Sequence, residues 1–129
     1  MKKNLLVINA NYYKDISAGL LKSAMNILPA NFKTKIINVP GVFEIPVTIS
    51  KNIKKFDGFI ALGCVIKGET PHFDFISQAS INAVMKLAVD NKKPIGNGII
   101  TCLNMKQAKA RKKKGAEAAN AVISILSQK

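Results

Sequence analysis

Residues 58–66 spell GFIALGCVI, the most apolar run in the chain. An apolar run of this length is typical of a strand that is buried on both faces of a parallel sheet. The next residues, KGETPHFDF at 67–75, place Thr70 and Pro71 where a helix begins, because threonine caps helices and proline prefers the first helical position. The stretch therefore predicts a central strand that leads through a short loop into a helix.

Other strand signals lie on both sides of this unit. An apolar run predicts a first strand at 4–10, and an alternating run rich in β-branched residues predicts a second strand at 33–39. A fourth strand is predicted at 95–101, directly after Pro94. All four strands are short, and each is followed by a segment with a helical pattern.

The helical segments are amphipathic or bounded by stop signals. The first is predicted to start with Asp15 as its cap and to end at Pro29, and the second to cover about 43–55. The third is predicted from Pro71, and the last as one broken helix over 104–110 and 115–127. The buried stripe predicted for the third helix consists of Ile76, Ala79, Ala83 and Leu87.

Strand and helix thus alternate four times, which predicts a parallel sheet with helices on both faces. Right-handed crossovers then favour an α/β fold of the flavodoxin-like kind, a three-layer αβα arrangement around a four-stranded parallel sheet. Residues 1–129 are predicted to form a single domain. Because so small a sheet has exposed edges, we expect a homo-oligomer that covers them.

The charge is unusually one-sided, with a net charge of +13 but only one arginine, Arg111, and one histidine, His72. Since lysine supplies plain positive charge elsewhere, Arg111 is a candidate for a two-pronged grip on a phosphate. The positive charge would attract anionic small molecules. Nucleic acid is disfavoured as the main partner, because few aromatic residues are present and none is interleaved with the basic cluster at 111–114.

Several other classes are also disfavoured. No apolar run is long enough to span a bilayer, and residues 1–8 lack the longer apolar region of a signal peptide, so we expect a cytoplasmic protein without a membrane partner. Cys64 and Cys102 are then expected to be reduced thiols. One histidine and two distant cysteines make no convincing metal site, and neither a phosphate loop nor a dinucleotide fingerprint occurs.

Ligands in such folds bind beyond the carboxyl ends of the strands. The loops there contain Tyr12, Glu44 and His72. Tyr12 could lie over a ring-shaped ligand or simply be a rim aromatic, and Glu44 could contact a ligand or only complement a helix dipole. His72 could exchange protons in its neutral form or have no role, and Arg111 could bind an anion or belong to a solvated basic loop.

Two long segments resemble the lumazine synthase family. They are VPGVFEIP at 39–46 and LGCVIKGETPHFD at 62–74, and the similarity extends from the first strand to the last helix. The resemblance implies a transferase of riboflavin biosynthesis that works without a metal or redox cofactor. Its substrates would be 5-amino-6-(D-ribitylamino)uracil and 3,4-dihydroxy-2-butanone 4-phosphate, which condense to 6,7-dimethyl-8-ribityllumazine with release of phosphate and water.

The resemblance also implies roles for individual residues. Tyr12 would stack on the uracil ring, and His72 would be the acid/base. Arg111 would grip the phosphate and, with Asn97, would complete the site of a neighbouring subunit. Phosphate would also meet the turn at Glu69 and Thr70. The remaining substrate contacts would be Val42, Phe43, Glu44, Cys64, Val65 and Ile66.

Such shared sites imply self-association, for which a pentamer is expected and a sixty-subunit shell is the alternative. Two other functions remain open at this point. A non-catalytic flavin or lumazine binder on the same fold would keep Tyr12 and the pocket, but it would not need Arg111 and His72 together. A nucleic-acid-binding module would show strong, salt-sensitive binding to unrelated oligonucleotides without turnover.

Overall fold

The computed structural model describes residues 3–128, so the first two residues and the last residue of the predicted domain lie outside the described range. Within that range the chain alternates strands and helices, and a single 3-10 turn, Val42–Glu44, precedes the second helix. The elements are β1 Lys3–Ala10, α1 Lys14–Ile27, β2 Phe32–Val39, α2 Ile45–Asn52, β3 Gly58–Ile66, α3 His72–Asn91, β4 Ile95–Cys102, α4 Met105–Ala110 and α5 Lys114–Leu126.

The four strands form one parallel sheet in the order β2-β1-β3-β4. The chain therefore moves outward from β1 to β2, then crosses back to β3 on the other side of β1. Such a reversal opens a crevice at the carboxyl ends of the two central strands. The predicted flavodoxin-like three-layer αβα fold is confirmed, and the crevice lies between the ends of β1 and β3.

Two apolar cores lie on opposite faces of the sheet, because successive strand residues point to alternate sides. In β1, Leu5 and Val7 pack with α1 and α5, whereas Leu6 and Ile8 pack with α2 and α3. All four side chains are fully buried. A strand that is apolar on both faces is what the unbroken apolar runs of β1 and β3 indicate.

Two glycines allow α5 to approach its neighbours closely. A Cβ atom on Gly96 of β4 would overlap the backbone carbonyl of Ala118 in α5, and one on Gly115 of α5 would overlap the carbonyl of Leu20 in α1. Backbone cannot move aside as a side chain can, so both positions require glycine. This close packing fixes α5, and with it the turn that contains Arg111, against the sheet.

Two predicted helix caps are wrong in detail. The first helix begins at Lys14 with Tyr13 before it, so Asp15 lies in the first turn, where its charge complements the helix dipole instead of capping it. The third helix begins at His72, with Pro71 preceding it and no side-chain cap. The Thr70 hydroxyl accepts only a long hydrogen bond, 3.4 Å, from the His72 N–H.

The predicted stripe of α3 is wrong in part. Ser80 and Val84 are its buried residues, and Ala79 is exposed. The reason is that α3 is apolar on its outer face as well, where Phe75, Met85 and Val89 are 66%, 63% and 66% exposed. A helix with apolar residues on two faces has no single stripe that a periodicity can identify.

Candidate active site

A cavity of about 330 Å³ lies in the crevice between the ends of β1 and β3; we call it the switch-point pocket. It brings together seven of the residues proposed from the sequence, which come from the loop after β1, the 3-10 turn after β2, the end of β3 and the start of α3. Its lining comprises Tyr12, Tyr13, Gly41, Val42, Phe43, Cys64, Val65, Ile66, His72 and Ile76.

The walls of this pocket are apolar and firmly held. Val42 is buried against the core that contains α2 and α3. The last two residues of β3 also contribute: Val65 packs with that same core, and Ile66 packs with the core on the opposite face of the sheet. Tyr12 stands at the mouth with 74% of its surface exposed, and His72 is exposed at the start of α3. The arrangement is an apolar slot with one exposed imidazole in its lining.

Two titratable residues that line this slot, Cys64 and Tyr13, are uncharged at neutral pH. Burial, followed by the neighbouring Cys102 thiol, raises the pKa of Cys64 to about 12. Burial also raises the pKa of Tyr13, with smaller contributions from Cys64 and Tyr12. Both cysteines are free thiols, as expected from the sequence. Uncharged lining groups suit a neutral ring better than an ion.

A second cavity of about 540 Å³ follows the outer edge of β4; we call it the edge pocket. Asn97 and Arg111, two further site residues proposed from the sequence, line this pocket. The pocket is strongly basic. The charged side chains in its lining are Arg111, Lys113, Lys114 and Glu117. The edge pocket shares no lining residue with the switch-point pocket, so the imidazole and the guanidinium of one chain face different cavities.

Asn97 and Arg111 also satisfy the free edge of the sheet, a role that the sequence did not reveal. The Phe59 N–H of β3 donates to the Pro94 carbonyl, so the backbone groups of the even-numbered residues of β4 face β3. The N–H and carbonyl groups of the odd-numbered residues of β4 therefore point away from the sheet. The Asn97 Oδ1 accepts from the Ile99 N–H at 3.1 Å. The Arg111 Nη1 donates to the Thr101 carbonyl, also at 3.1 Å.

Three candidates line neither pocket. Glu44 lies in the 3-10 turn with its carboxylate near Gly41, and its carbonyl accepts from the Thr48 hydroxyl at 2.9 Å. Glu69 and Thr70 are exposed in the loop before α3. Tyr13, in contrast, was not predicted from the sequence, yet it lines the switch-point pocket. Its position next to Tyr12 was the one available signal.

Other kinds of site are not evident in the described part of the chain. Between residues 3 and 128, no group of three or more histidine, cysteine, aspartate and glutamate side chains could hold a metal ion. In the same range, no helix has both the length and the apolar character that crossing a bilayer requires.

An open parallel α/β sheet with an apolar pocket at its switch point defines the class of α/β proteins that bind small organic ligands beyond the carboxyl ends of their strands. Comparison with known proteins makes this class specific. The family model for 6,7-dimethyl-8-ribityllumazine synthase matches residues 2–129. The chain belongs to that family, which confirms the resemblance seen in the two loop motifs.

Individual relatives match over most of their length, and the following three bear the name of this synthase. The protein of Agrobacterium fabrum is 42% identical over 141 residues, covering 99% of this chain and 95% of the relative. That of Bartonella bacilliformis is 44% identical over 117 residues, with 87% and 77% covered. Synthase 1 of Rhodopseudomonas palustris is 42% identical over 135 residues, with 95% and 83% covered.

Proposed function

We propose that this protein condenses 5-amino-6-(D-ribitylamino)uracil with 3,4-dihydroxy-2-butanone 4-phosphate to give 6,7-dimethyl-8-ribityllumazine, phosphate and water. It would then act as a transferase in riboflavin biosynthesis. The observation that carries the proposal is the switch-point pocket, where residues that follow β1 and β2 meet the end of β3 and the start of α3 in one slot of the right chemical character. Full-length similarity to proteins named for this product supports it.

The uracil ring would occupy the switch-point pocket. Its faces are apolar enough to lie against the end of β3, where Val65 and Ile66 line the pocket, with the Tyr12 ring stacked on it, since aromatic rings favour stacked or edge contacts with other π-systems. Phe43 would close the mouth beside it. Cys64 would contact the ring as a neutral thiol, in keeping with its raised pKa.

His72 would move protons between the reacting atoms. The amine of the uracil attacks the ketone and one water leaves as the imine forms. Phosphate is then eliminated, and a second water leaves as the ribitylamino nitrogen closes the ring on the remaining carbonyl carbon, so that protons must be taken and returned. His72 is the first residue of α3 and lies exposed on the pocket rim, where a bound substrate can reach its imidazole. A placed acid/base of this kind typically contributes about 10²–10⁴-fold to a rate.

Arg111 would hold the phosphate, assisted by the basic side chains of the edge pocket and by the turn at Glu69 and Thr70. One of its five N–H donors is used by the Thr101 carbonyl, which orients the guanidinium and leaves a fork for the anion. Asn97 would contact substrate from the same pocket. Because His72 faces a different cavity, the Arg111 that meets it would come from an adjoining copy.

Self-association is therefore part of the proposal. The exposed apolar face of α3, with Phe75, Met85 and Val89, and the outer edge of β4 are the surfaces that a neighbouring copy would cover. A pentamer would bring each His72 to a neighbouring Arg111, and a sixty-subunit shell would repeat that contact. We also propose a cytoplasmic location, which the free thiols Cys64 and Cys102 support, because such a compartment keeps thiols reduced.

The decisive experiment mixes the purified protein with both substrates and follows the fluorescence of the lumazine together with phosphate release. We expect both signals to rise in proportion and faster than in the same mixture without protein. When one substrate is omitted, we expect neither signal to rise. Tight binding of the lumazine without turnover would instead indicate a non-catalytic binder. Salt-sensitive binding of unrelated oligonucleotides without turnover would indicate a nucleic-acid-binding module.

A further inference from the structure

Two consecutive tyrosines at the end of β1 are held in very different ways. Tyr12 is 74% exposed at the pocket mouth. Tyr13 is half-buried and packs against the core that β1 and β3 share with α1 and α5. Their ring centroids are 4.9 Å apart and their planes lie at 84°, the edge-to-face geometry that aromatic pairs favour.

Tyr13 is anchored through its backbone as well as its ring. It precedes α1, and its carbonyl accepts the N–H of Ser17 at 2.9 Å. Burial raises the pKa of its hydroxyl, so it remains an uncharged phenol at neutral pH. Tyr13 is thus a rigid, neutral ring that contacts an otherwise exposed one.

We propose that Tyr13 is a positioning residue that fixes the plane of the Tyr12 ring and thereby sets the affinity of the pocket for the heteroaromatic substrate. The inference rests on the proposed function, because it concerns the ring subsite of the same pocket. An exposed tyrosine without such support populates several side-chain rotamers. Restricting those rotamers before the ligand arrives removes part of the entropic cost of binding.

The test compares Tyr13→Leu, which keeps apolar volume but removes the ring, with Tyr13→Phe, which keeps the ring. Two quantities are measured: KM for each substrate, and Kd for 6,7-dimethyl-8-ribityllumazine from its fluorescence. An edge-to-face pair contributes enough for about a 2- to 10-fold effect. We expect Tyr13→Leu to raise the KM of the ribitylaminouracil and the Kd by that factor, leaving kcat and the KM of the butanone phosphate near wild type.

Tyr13→Phe should restore both values to within about twofold of wild type, because the ring contact and not the hydroxyl is responsible. The chain offers a matched control in Phe56 and Phe59, whose centroids are 6.1 Å apart at 66°, at the amino-terminal end of β3. Phe56→Leu also removes one ring of a pair. It should lower the Tm without changing the KM or the Kd.

The outcomes separate the inference from the function on which it rests. Wild-type protein without turnover would overturn the proposed function, and the Kd series alone would then decide the role of Tyr13. A Tyr13→Leu variant with wild-type KM and Kd would overturn the inference, as would a Phe variant as impaired as the Leu variant. If Tyr13→Leu does not fold, Tyr13→Met takes its place under the same criteria.

Discussion

The Arg111 guanidinium donates a hydrogen bond within the chain and, in the proposed reaction, also binds the phosphate. It holds the Thr101 carbonyl at the edge of β4, and in the proposed reaction it grips the phosphate with its remaining donors. Lysine carries the same charge but lacks a planar fork, so it cannot satisfy both partners in a fixed geometry. We expect Arg111→Lys to raise the KM of the butanone phosphate about 10- to 100-fold, the worth of a lost charge-assisted hydrogen bond.

Lys109→Arg is the matched control for this change, because Lys109 is exposed in the last turn of α4 and belongs to neither pocket lining. Steady-state kinetics of both variants provide the comparison. Equal activity of Arg111→Lys and Lys109→Arg would contradict the argument from the fork.

Cys64 makes the stability of the protein depend on pH in the alkaline range. Burial and then Cys102 raise its pKa from 9.0 to about 12, so the folded thiol keeps a proton that the unfolded thiol loses. The stabilisation that the protonated Cys64 thiol provides is fully present below the pKa of the thiol in the unfolded chain. It is lost as the pH rises through the pKa of the thiol in the folded protein. Urea unfolding at about pH 8 and about pH 10.5 should show a steeper decline for wild type than for Cys64→Ala. Parallel declines would count against a raised pKa.

The residues whose position was predicted correctly were those whose placement follows from strand order. Once four parallel strands are predicted, the residues after each strand must meet at one edge of the sheet, and Tyr12, Phe43 and His72 do so. The edge role of Asn97 and the ring contact of Tyr13 could not be predicted in this way. Both depend on which way a side chain turns, and no pattern of apolar residues encodes that.

At the scale of elements, the contact between β4 and α5 depends on a missing side chain. Gly96→Ala would drive a methyl group into the Ala118 carbonyl and push the helix from the sheet. Overpacking of this kind typically costs about 1–3 kcal/mol. We expect a corresponding loss in the free energy of unfolding, measured by urea denaturation.

Gly68→Ala is the control at another glycine. A Cβ atom there meets nothing within 4 Å, and none of the glycines in the described chain has a positive φ. This substitution should therefore leave stability within about 1 kcal/mol of wild type, or raise it slightly by restricting the unfolded chain. Similar losses for Gly96→Ala and Gly68→Ala would show that close packing is not the cause.

Strands were predicted more accurately than helix ends, and the physical reason is clear in particular elements. β3 was predicted at its observed bounds because its apolar run begins and ends with the sheet. The helix starts at Lys14 and His72 were misplaced because a capping residue type marks only the neighbourhood of a helix end. The buried stripe of α3 was predicted only in part because the outer face of this helix is apolar too. Its large side chains are exposed in the part of the chain that the structure describes.

For the whole molecule, the separation of the two pockets leads to a test by mixing. His72→Gln and Arg111→Ala should each be nearly inactive alone. If each site takes its imidazole from one copy and its guanidinium from the next, unfolding and refolding the two together creates some sites with both groups. With random mixing in equal amounts we expect about one quarter of wild-type activity. The copy that supplies the imidazole has native His72 in about half of the sites, and the copy that supplies the guanidinium has native Arg111 in about half of those.

Sedimentation of the mixture gives the assembly size in the same experiment. A mixture in which both parent variants are folded and associated, but no activity returns, would mean that each chain builds its own site. Each parent variant, unfolded and refolded alone, provides the background rate for this comparison.

The hydrogen bonds at the outer margin of the sheet have a consequence for the newly made protein. A new chain must diffuse among other chains, and a bare strand margin is where chains stick to one another. Here Asn97 and Arg111 already occupy two of the outward backbone groups. A change at either position would leave one of these groups bare, and we expect it to lower the yield of folded protein.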